Sequence, residues 1–378
     1  MDQASPALAQ ELDPDLHRTQ PASIESIVPR TTAWYRRKGR PSRKTKAEEQ
    51  QYLTPLEEKA LVTHLLRMAA LGTPIRIKFI PPLAFSLARR RSPTKAIKPP
   101  NKNWPQAFTR RHLELKSRRT RAMDWNRHDN NIYDKVTQWF EVIEPELRGV
   151  DVKPENVYNM DETGVMLSML NSVTVLLGKH DEHDYRGAGV KRTMVTAVEC
   201  ISASGECLKP MIIWPASTHR SNWTTYDTPG WVYAFSESGY TDSYLTLQWF
   251  QKVFDPQTKA RANGKLRILI CDGFGTHETL EILEFCFENN IILCRLPSHT
   301  SHKLQPCDVA AFGPLKTAYR DEVERLYCLG VTIVNKEHFT SLYSPARAKA
   351  LTKKNILAGL AKSGLFPFNP DRVISPTT

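Results

Sequence analysis

The 378-residue chain carries 52 Lys and Arg against 40 Asp and Glu, and its 40% hydrophobic content is enough to bury ordinary domain cores. No run approaches the roughly 18 uninterrupted apolar residues that a membrane span needs. The opening MDQASPALAQELDPDL has neither the positive cap nor the apolar stretch of a secretory signal, so a soluble intracellular protein with no membrane partner is expected. The seven cysteines are odd in number and include no CxxC pair, which predicts buried reduced thiols rather than disulfides or a zinc site.

The positive charge is unevenly spread. Residues 30 to 130 hold 25 Lys and Arg against 7 Asp and Glu, whereas the segments on either side are slightly acidic. Such concentration is expected of a segment that neutralises phosphates and releases their counterions. A solvated basic face with no ligand is the plainer alternative.

In chain order, residues 1–22 are polar, acidic and aperiodic, and read as a flexible leader. Residues 23–46 read as a short helix, a turn at Pro29 and a basic helix from Arg30 to Lys38, the second half of a helix-turn-helix. KGRPSRK (38–44) reads as an extended tract suited to a linker, a nuclear localisation signal or the minor groove. Residues 47–125 form the next unit. Thr54, Pro55 and Glu57 make a capping box, Leu61, Leu65, Met68 and Ala69 recur at helical spacing, and Gly72 supplies a stop. Two further helices are expected, over 82–91 and 103–112, with Pro81-Pro82 interrupting the first and Pro105 disturbing the start of the second. Trp104 and Phe108 would face the core of this unit, with Arg110 and Arg111 on its surface. Candidate DNA contacts are Arg30, Arg36, Arg37, Lys38, Arg40, Lys102, Gln106, Thr109, Arg110 and Arg111.

A connecting helix occupies much of 126–151, with Val136, Phe140 and Ile143 on one face. From residue 152 to 370 the pattern changes to alternating strands and helices, before a tail at 371–378. Strands are expected at 157–167, 191–202, 207–215, 266–272 and 291–297, and helices at 244–254, 279–290 and 308–328. This order predicts an α/β domain with a mixed sheet flanked by helices.

Three aspartates fall where strand ends gather catalytic groups: Asp161 inside an apolar strand, Asp272 at the end of LRILIC, and Asp308 near the start of a helix. Carboxylates brought together repel one another unless cations neutralise them, and Mg²⁺ takes oxygen ligands of this kind. The plainer readings are a turn at Asp272-Gly273, a helix cap at Asp308, and an ion pair between Asp161 and Arg192. Glu162, next to Asp161, should face the other side of the strand, and it and His277 are secondary candidates.

NMDETGV (159–165), LICDGFGTHETLEILEF (269–285), LPSHTSHKLQPCDVAAFGPLK (296–316) and SGLFPFNP (363–370) resemble the DDE-superfamily endonuclease domain of pogo-type transposases, in the mariner superfamily, as found in fungal genomes. LTPLEEKALVTHLLRMAALG, KNWPQAFTRRH and LELKSR resemble the centromere-protein-B-type helix-turn-helix of the same transposases. The resemblance implies a ribonuclease-H-like fold, and an acidic metal triad at Asp161, Asp272 and Asp308 holding Mg²⁺, with Mn²⁺ as a substitute. It also implies terminal inverted repeats and target DNA as double-stranded partners, a homo-oligomer on DNA, and a nuclear location. A domesticated DNA-binding protein that does not cut is the alternative, and a nuclease acting on RNA would leave the basic region unexplained.

Overall fold

The structure is a computed structural model and describes residues 29–91, 96–119, 132–149, 152–168, 193–272, 279–331 and 333–374. The chain divides into two compact units, one of Met1–Ala69 with Pro74–Arg118, the other of Ala70–Thr73 with Arg119–Thr378.

The first unit is helical. Helix α1 (Arg30–Arg37) buries none of its residues and ends at Lys38 and Gly39, whose φ of +80° suits a residue without a Cβ. Helix α2 (Arg43–Glu49) starts at Ser42, whose hydroxyl accepts the Thr45 N–H. The extended tract expected over 38–44 is therefore confined to residues 40–42. In α3 (Pro55–Ala70) the capping box forms as expected: the Thr54 N–H donates to Glu57 at 2.8 Å, and the Glu57 N–H to the Thr54 hydroxyl at 3.3 Å. Leu61, Leu65 and Met68 are buried, whereas Ala69 is exposed. Helix α4 (Ile80–Arg91) and helix α5 (Trp104–Arg111) correct the expected interruptions. Pro81, Pro82 and Pro105 all stand in a first turn, where the missing N–H has no helical partner to lose. Trp104 and Phe108 stack at 5.0 Å in the core.

The second unit is built on a six-stranded sheet of order β4-β3-β2-β1-β5-β6. Its strands are β1 (Val157–Met166), β2 (Met194–Ser202), β3 (Met211–Pro215), β4 (Val232–Ser236), β5 (Arg267–Cys271) and β6 (Ile291–Arg295). β2 runs antiparallel to both β1 and β3, while β4 pairs parallel with β3, and β5 and β6 extend the sheet parallel to β1. Edge strand β4 is missing from the sequence reading. Of the strand expected over 191–202, Lys191 and Arg192 lie outside the described residues, and so does the Arg192 partner considered for Asp161.

Alternation along the strands sorts two cores. On one face Val157, Val165, Ala197, Trp214, Ile268, Ile270 and Ile292 pack with α6 (Ile132–Leu147), α11 (Phe312–Cys328), α12 (Lys336–Ala350) and α13 (Lys353–Lys362). On the other, Tyr158, Met160, Val198, Leu269 and Leu293 pack with α7 (Ser243–Trp249), the π-helical turn Phe250–Phe254 and α9 (Leu280–Glu288). Helix α8 (Asp255–Ala262) continues that turn beyond the expected end at 254. α10 (Ser301–Leu304), a π-helical turn Cys307–Ala311 and α14 (Asp371–Ile374) complete the described unit. Of the helical face expected from Phe312, Leu315, Tyr319, Val323 and Leu326, the first four are buried and Leu326 is half-buried.

Two buried ion pairs fasten helices to the sheet. Glu199 of β2, wholly enclosed, accepts two hydrogen bonds at 2.8 Å from the Arg347 guanidinium of α12 and one at 2.9 Å from the Tyr343 hydroxyl. Arg267 at the start of β5 donates to Asp255 at 2.7 Å and to the Thr258 hydroxyl at 2.8 Å. All seven cysteines are free thiols, five of them buried, with Cys207 half-buried and Cys328 exposed.

Candidate active site and nucleic-acid interface

Side-chain parity decides which acidic groups meet. Asp161 shares a face with Val157 and Val165, and Asp272 with Ile268 and Ile270, so both point to the side covered by α11 to α13. The last paired rung of these parallel strands is Asn159 with Ile270, and each aspartate comes two residues beyond it on its own strand. Asp308 reaches the same face on the π-helical turn, whose Cys307 and Ala311 anchor it in that core. Glu162 takes the opposite face, as expected. There the Thr241 hydroxyl faces it without completing a hydrogen bond of normal geometry. His277 lies outside the described residues.

A small polar centre joins the three elements that carry the aspartates. Asn159 donates through Nδ2 to the Ile270 carbonyl at 3.0 Å and to Gln305 Oε1 at 2.7 Å, and its Oδ1 accepts the Cys307 N–H at 3.1 Å. Gln305 Nε2 donates to the Met160 carbonyl at 3.1 Å. Both amides are fully buried. Sequence reasoning passed over them, although both lie inside quoted motifs. The readable signal was an amide flanked by apolar residues two positions before one aspartate and three before another.

The electrostatics are those of crowded acids. Burial pushes the Asp161 carboxyl up to about 8, with Asp308 and, more weakly, Asp272 adding in the same direction, while hydrogen bonds from the Glu162 N–H and Gln305 oppose it. Asp308 is also raised by burial, and Lys316 and His302 pull against that shift. Ser301 donates to Asp272 Oδ2 at 3.2 Å. Among the described residues, no three Asp, Glu, His or Cys side chains are drawn tightly enough together to form a ready-made metal cluster. The donor set nonetheless fits a hard divalent cation: oxygen ligands only, one of them deeply buried, each raising the cost of ionising another.

In the helical unit the candidate DNA contacts separate into two kinds. Arg30, Arg37, Lys38 and Arg40 are exposed at and after α1, and Arg36 is half-buried. Lys38 Nζ lies 4.0 Å from the ring centre of the exposed Trp34. Lys102, Gln106 and Arg110 are exposed on and before α5. Thr109 is occupied differently, because its hydroxyl donates to the Pro105 carbonyl at 2.8 Å. Arg111, expected to be available to DNA, is paired with the buried Glu58 of α3, which also meets His112 Nε2 at 2.9 Å. Its first task is to neutralise a buried carboxylate.

A mixed sheet flanked by helices, accompanied by a basic helical unit, is the architecture of a ribonuclease-H-like domain that follows a helix-turn-helix region. Residues 191–364 match the family model described as DDE superfamily endonuclease, and residues 54–119 match that of the Tc5 transposase DNA-binding domain. The first match includes Asp272 and Asp308, while Asp161 precedes it. One chain thus carries a region similar to DDE superfamily endonucleases and, before it, a region similar to the Tc5 transposase DNA-binding domain.

Among curated proteins it is 34% identical over 225 residues to MFS-type transporter clz9 of Cochliobolus lunatus, covering 58% of this chain and 24% of the relative. It is 30% identical over 149 residues to Chaetoglobosin A biosynthesis cluster protein C of Chaetomium globosum, covering 39% and 36% respectively. The chain thus spans a quarter to about a third of these relatives' length. None of the described helices is long and apolar enough to cross a membrane. Among solved structures, the mariner Mos1 paired end complex with Mg is matched at TM-score 0.41 and 13% identity, covering 84% of this chain and 91% of that one. The Mos1 paired-end complex with left transposon end is matched at 0.37 and 11%, covering 80% and 96%. At these scores the likeness carries no residue-level correspondence.

Proposed function

We propose that this protein binds double-stranded DNA at the terminal inverted repeats of a transposable element and cuts and joins strands there, acting as a transposase in the nucleus. The observation that supports the reading is the buried polar centre of Asn159 and Gln305, which ties together the three elements carrying Asp161, Asp272 and Asp308, with Asp272 and Asp308 both acting on the Asp161 carboxyl. The three carboxylates would hold Mg²⁺, or Mn²⁺ in its place, and the bound metal supplies Lewis acidity for the attacking and leaving oxygens of an in-line phosphoryl displacement. Asp161, deep in the sheet, provides the least solvated of the three negative charges. Asp272 is oriented by Ser301, and Asp308 is placed by its turn. Lys316 and His302 bear on Asp308 from its own side and give that edge of the site positive character toward a phosphate.

DNA affinity is assigned to the helical unit: Arg30, Arg36, Arg37, Lys38 and Arg40 at α1, and Lys102, Gln106 and Arg110 at α5, with Thr109 and Arg111 supporting the helix rather than reading bases. Phosphate contacts of this kind fix register, and the α5 side chains are the ones positioned on a helix that could enter a groove. The two proline-bearing helices are intact, which removes those two interruptions from the case for a noncutting protein.

The test is nicking of a repeat-end duplex with Mg²⁺ or Mn²⁺, beside a binding assay. Asp272→Asn should abolish cleavage and leave DNA affinity within about twofold, because binding and chemistry use different side chains. Cleavage by Asp272→Asn at the parent rate would overturn the assignment.

A further inference from the structure

We infer that Asn159 and Gln305 form a positioning device that sets the spacing of the three aspartates, an inference that rests on the proposed metal-dependent function. Neither side chain is a ligand in this scheme. Asn159 sits two residues before Asp161 on the same strand face, and its amide binds the β5 carbonyl two residues before Asp272. Its oxygen takes the N–H of Cys307, the neighbour of Asp308. One side chain of β1 therefore binds the backbone of the other two elements, within one or two residues of each acid.

Gln305 closes the arrangement. Its oxygen accepts the second Asn159 N–H at 2.7 Å, one of its own N–H groups donates to the Met160 carbonyl at 3.1 Å, and the amide also faces the Asp161 carboxylate. Every donor and acceptor that these contacts use is enclosed, since both residues are 0% exposed. A buried polar network this completely satisfied admits few alternative geometries, because shifting one strand end leaves an amide or carbonyl unpaired. An apolar pair would pack these positions with less cost and would fix nothing about the height of Asp308 above the sheet. The device acts on the acids as the outer partners of metal ligands do in general, and loss of such partners typically weakens metal binding by 10–100-fold.

The experiment uses the full chain with Gln305→Met, close in shape and without the amide, and Asn159→Asp, which keeps the acceptor for Cys307 and loses both donors. Three quantities are measured well below the melting temperature of each variant: Mn²⁺ affinity by calorimetry, hydrogen-exchange protection of the segment 305–311, and repeat-end DNA affinity. The inference expects Mn²⁺ binding weakened about tenfold or more in Gln305→Met, faster exchange at 305–311 in that variant, and DNA affinity unchanged. Gln305→Glu, which retains the acceptor for Asn159, should keep more of the protection at 305–311 than Gln305→Met. A purely structural role would lower the melting temperature and leave Mn²⁺ affinity at low temperature untouched, and that result overturns the inference. If the parent binds Mn²⁺ but does not cut DNA, the transposase reading fails while the loss of Mn²⁺ affinity in the variants still supports the positioning role. If the parent binds no Mn²⁺, both fail together.

Discussion

Replacing Arg347 by Met tests whether the second unit is held together by the charge pair that the sheet encloses. Glu199 is wholly buried, and the Arg347 side chain is 11% exposed, so neither charge has water to fall back on. Burial disfavours the guanidinium's charge, and the neighbouring Glu199 more than restores it, so that its pKa lies above the ordinary range. Removing the cation leaves Glu199 with the Tyr343 hydroxyl alone, and also strips the Leu208 carbonyl of its Arg347 donor. Breaking such a pair from one side costs about 3–5 kcal/mol, or roughly a hundredfold to a few thousandfold in the folding constant. Removing both charges, in Glu199→Leu/Arg347→Met, should recover most of that loss, because the pair's mutual attraction largely offsets its own desolvation. Urea unfolding followed by tryptophan fluorescence reads both variants. A cost below about 1 kcal/mol for Arg347→Met, or a double variant no more stable than the single one, refutes the reasoning.

Gly359→Ala should destabilise the protein by about 1–3 kcal/mol and depress nicking more than DNA binding. A Cβ there would lie 2.9 Å from the Pro306 carbonyl oxygen and 3.1 Å from the Ala310 Cβ, on the turn that carries Asp308. Stability should fall as pH drops from about 6.5 toward about 4 and lose part of that dependence in His64→Gln, read by urea midpoints across that range. Burial holds the folded His64 near 4, so the unfolded chain binds the extra proton, and the contribution is complete only above the unfolded value. Neutralising Arg36, Arg37, Lys38 and Arg40 together should flatten the plot of log affinity against log salt by up to about 3 to 4, and an unchanged slope in a filter-binding titration would remove α1 from the interface.

The second unit was legible because its signals are local and redundant. LRILIC and IILCR are short apolar runs closed by turn residues, and both became buried parallel strands. Edge strand β4 escaped because VYAFS is half-exposed along its length and carries no alternation to read. The helices α12 and α13 were left unassigned because their buried face includes Thr340, Arg347 and Gly359, residues that a hydrophobic pattern does not score. The helices expected over 82–91 and 103–112 form, and the prolines taken to interrupt or disturb them stand in first turns, because the sequence shows a proline but not which turn of a helix it occupies. Among the site residues, the aspartates stand out by type, whereas Asn159 and Gln305 act through partners 111 and 146 positions away. Long-range pairing of that kind leaves no periodicity. Arg111 looked available for the same reason, its partner Glu58 being 53 positions distant.

A site built from crowded acids should weaken the metal-free fold that holds it, and Asp161→Asn makes that cost measurable. Asn keeps the shape and can still accept the Glu162 N–H, which bonds Asp161 Oδ1 at 2.8 Å, but it removes a carboxyl whose ionisation burial, Asp308 and Asp272 all disfavour in the folded protein. Without metal, the variant should therefore be more stable than the parent, on the order of 1–3 kcal/mol. This sign is opposite to that of most buried substitutions, which destabilise. With metal the order should reverse. An ion that binds only the folded protein adds about 2.7 kcal/mol at a hundred times its dissociation constant, and the Asn variant, short of one ligand charge, should gain little of it. Thermal melts of both proteins with EDTA and with Mn²⁺ read the four values. A lower melting temperature for Asp161→Asn in EDTA would show that the aspartate is structurally satisfied where it stands, and equal stabilisation of both proteins by Mn²⁺ would place the ion elsewhere.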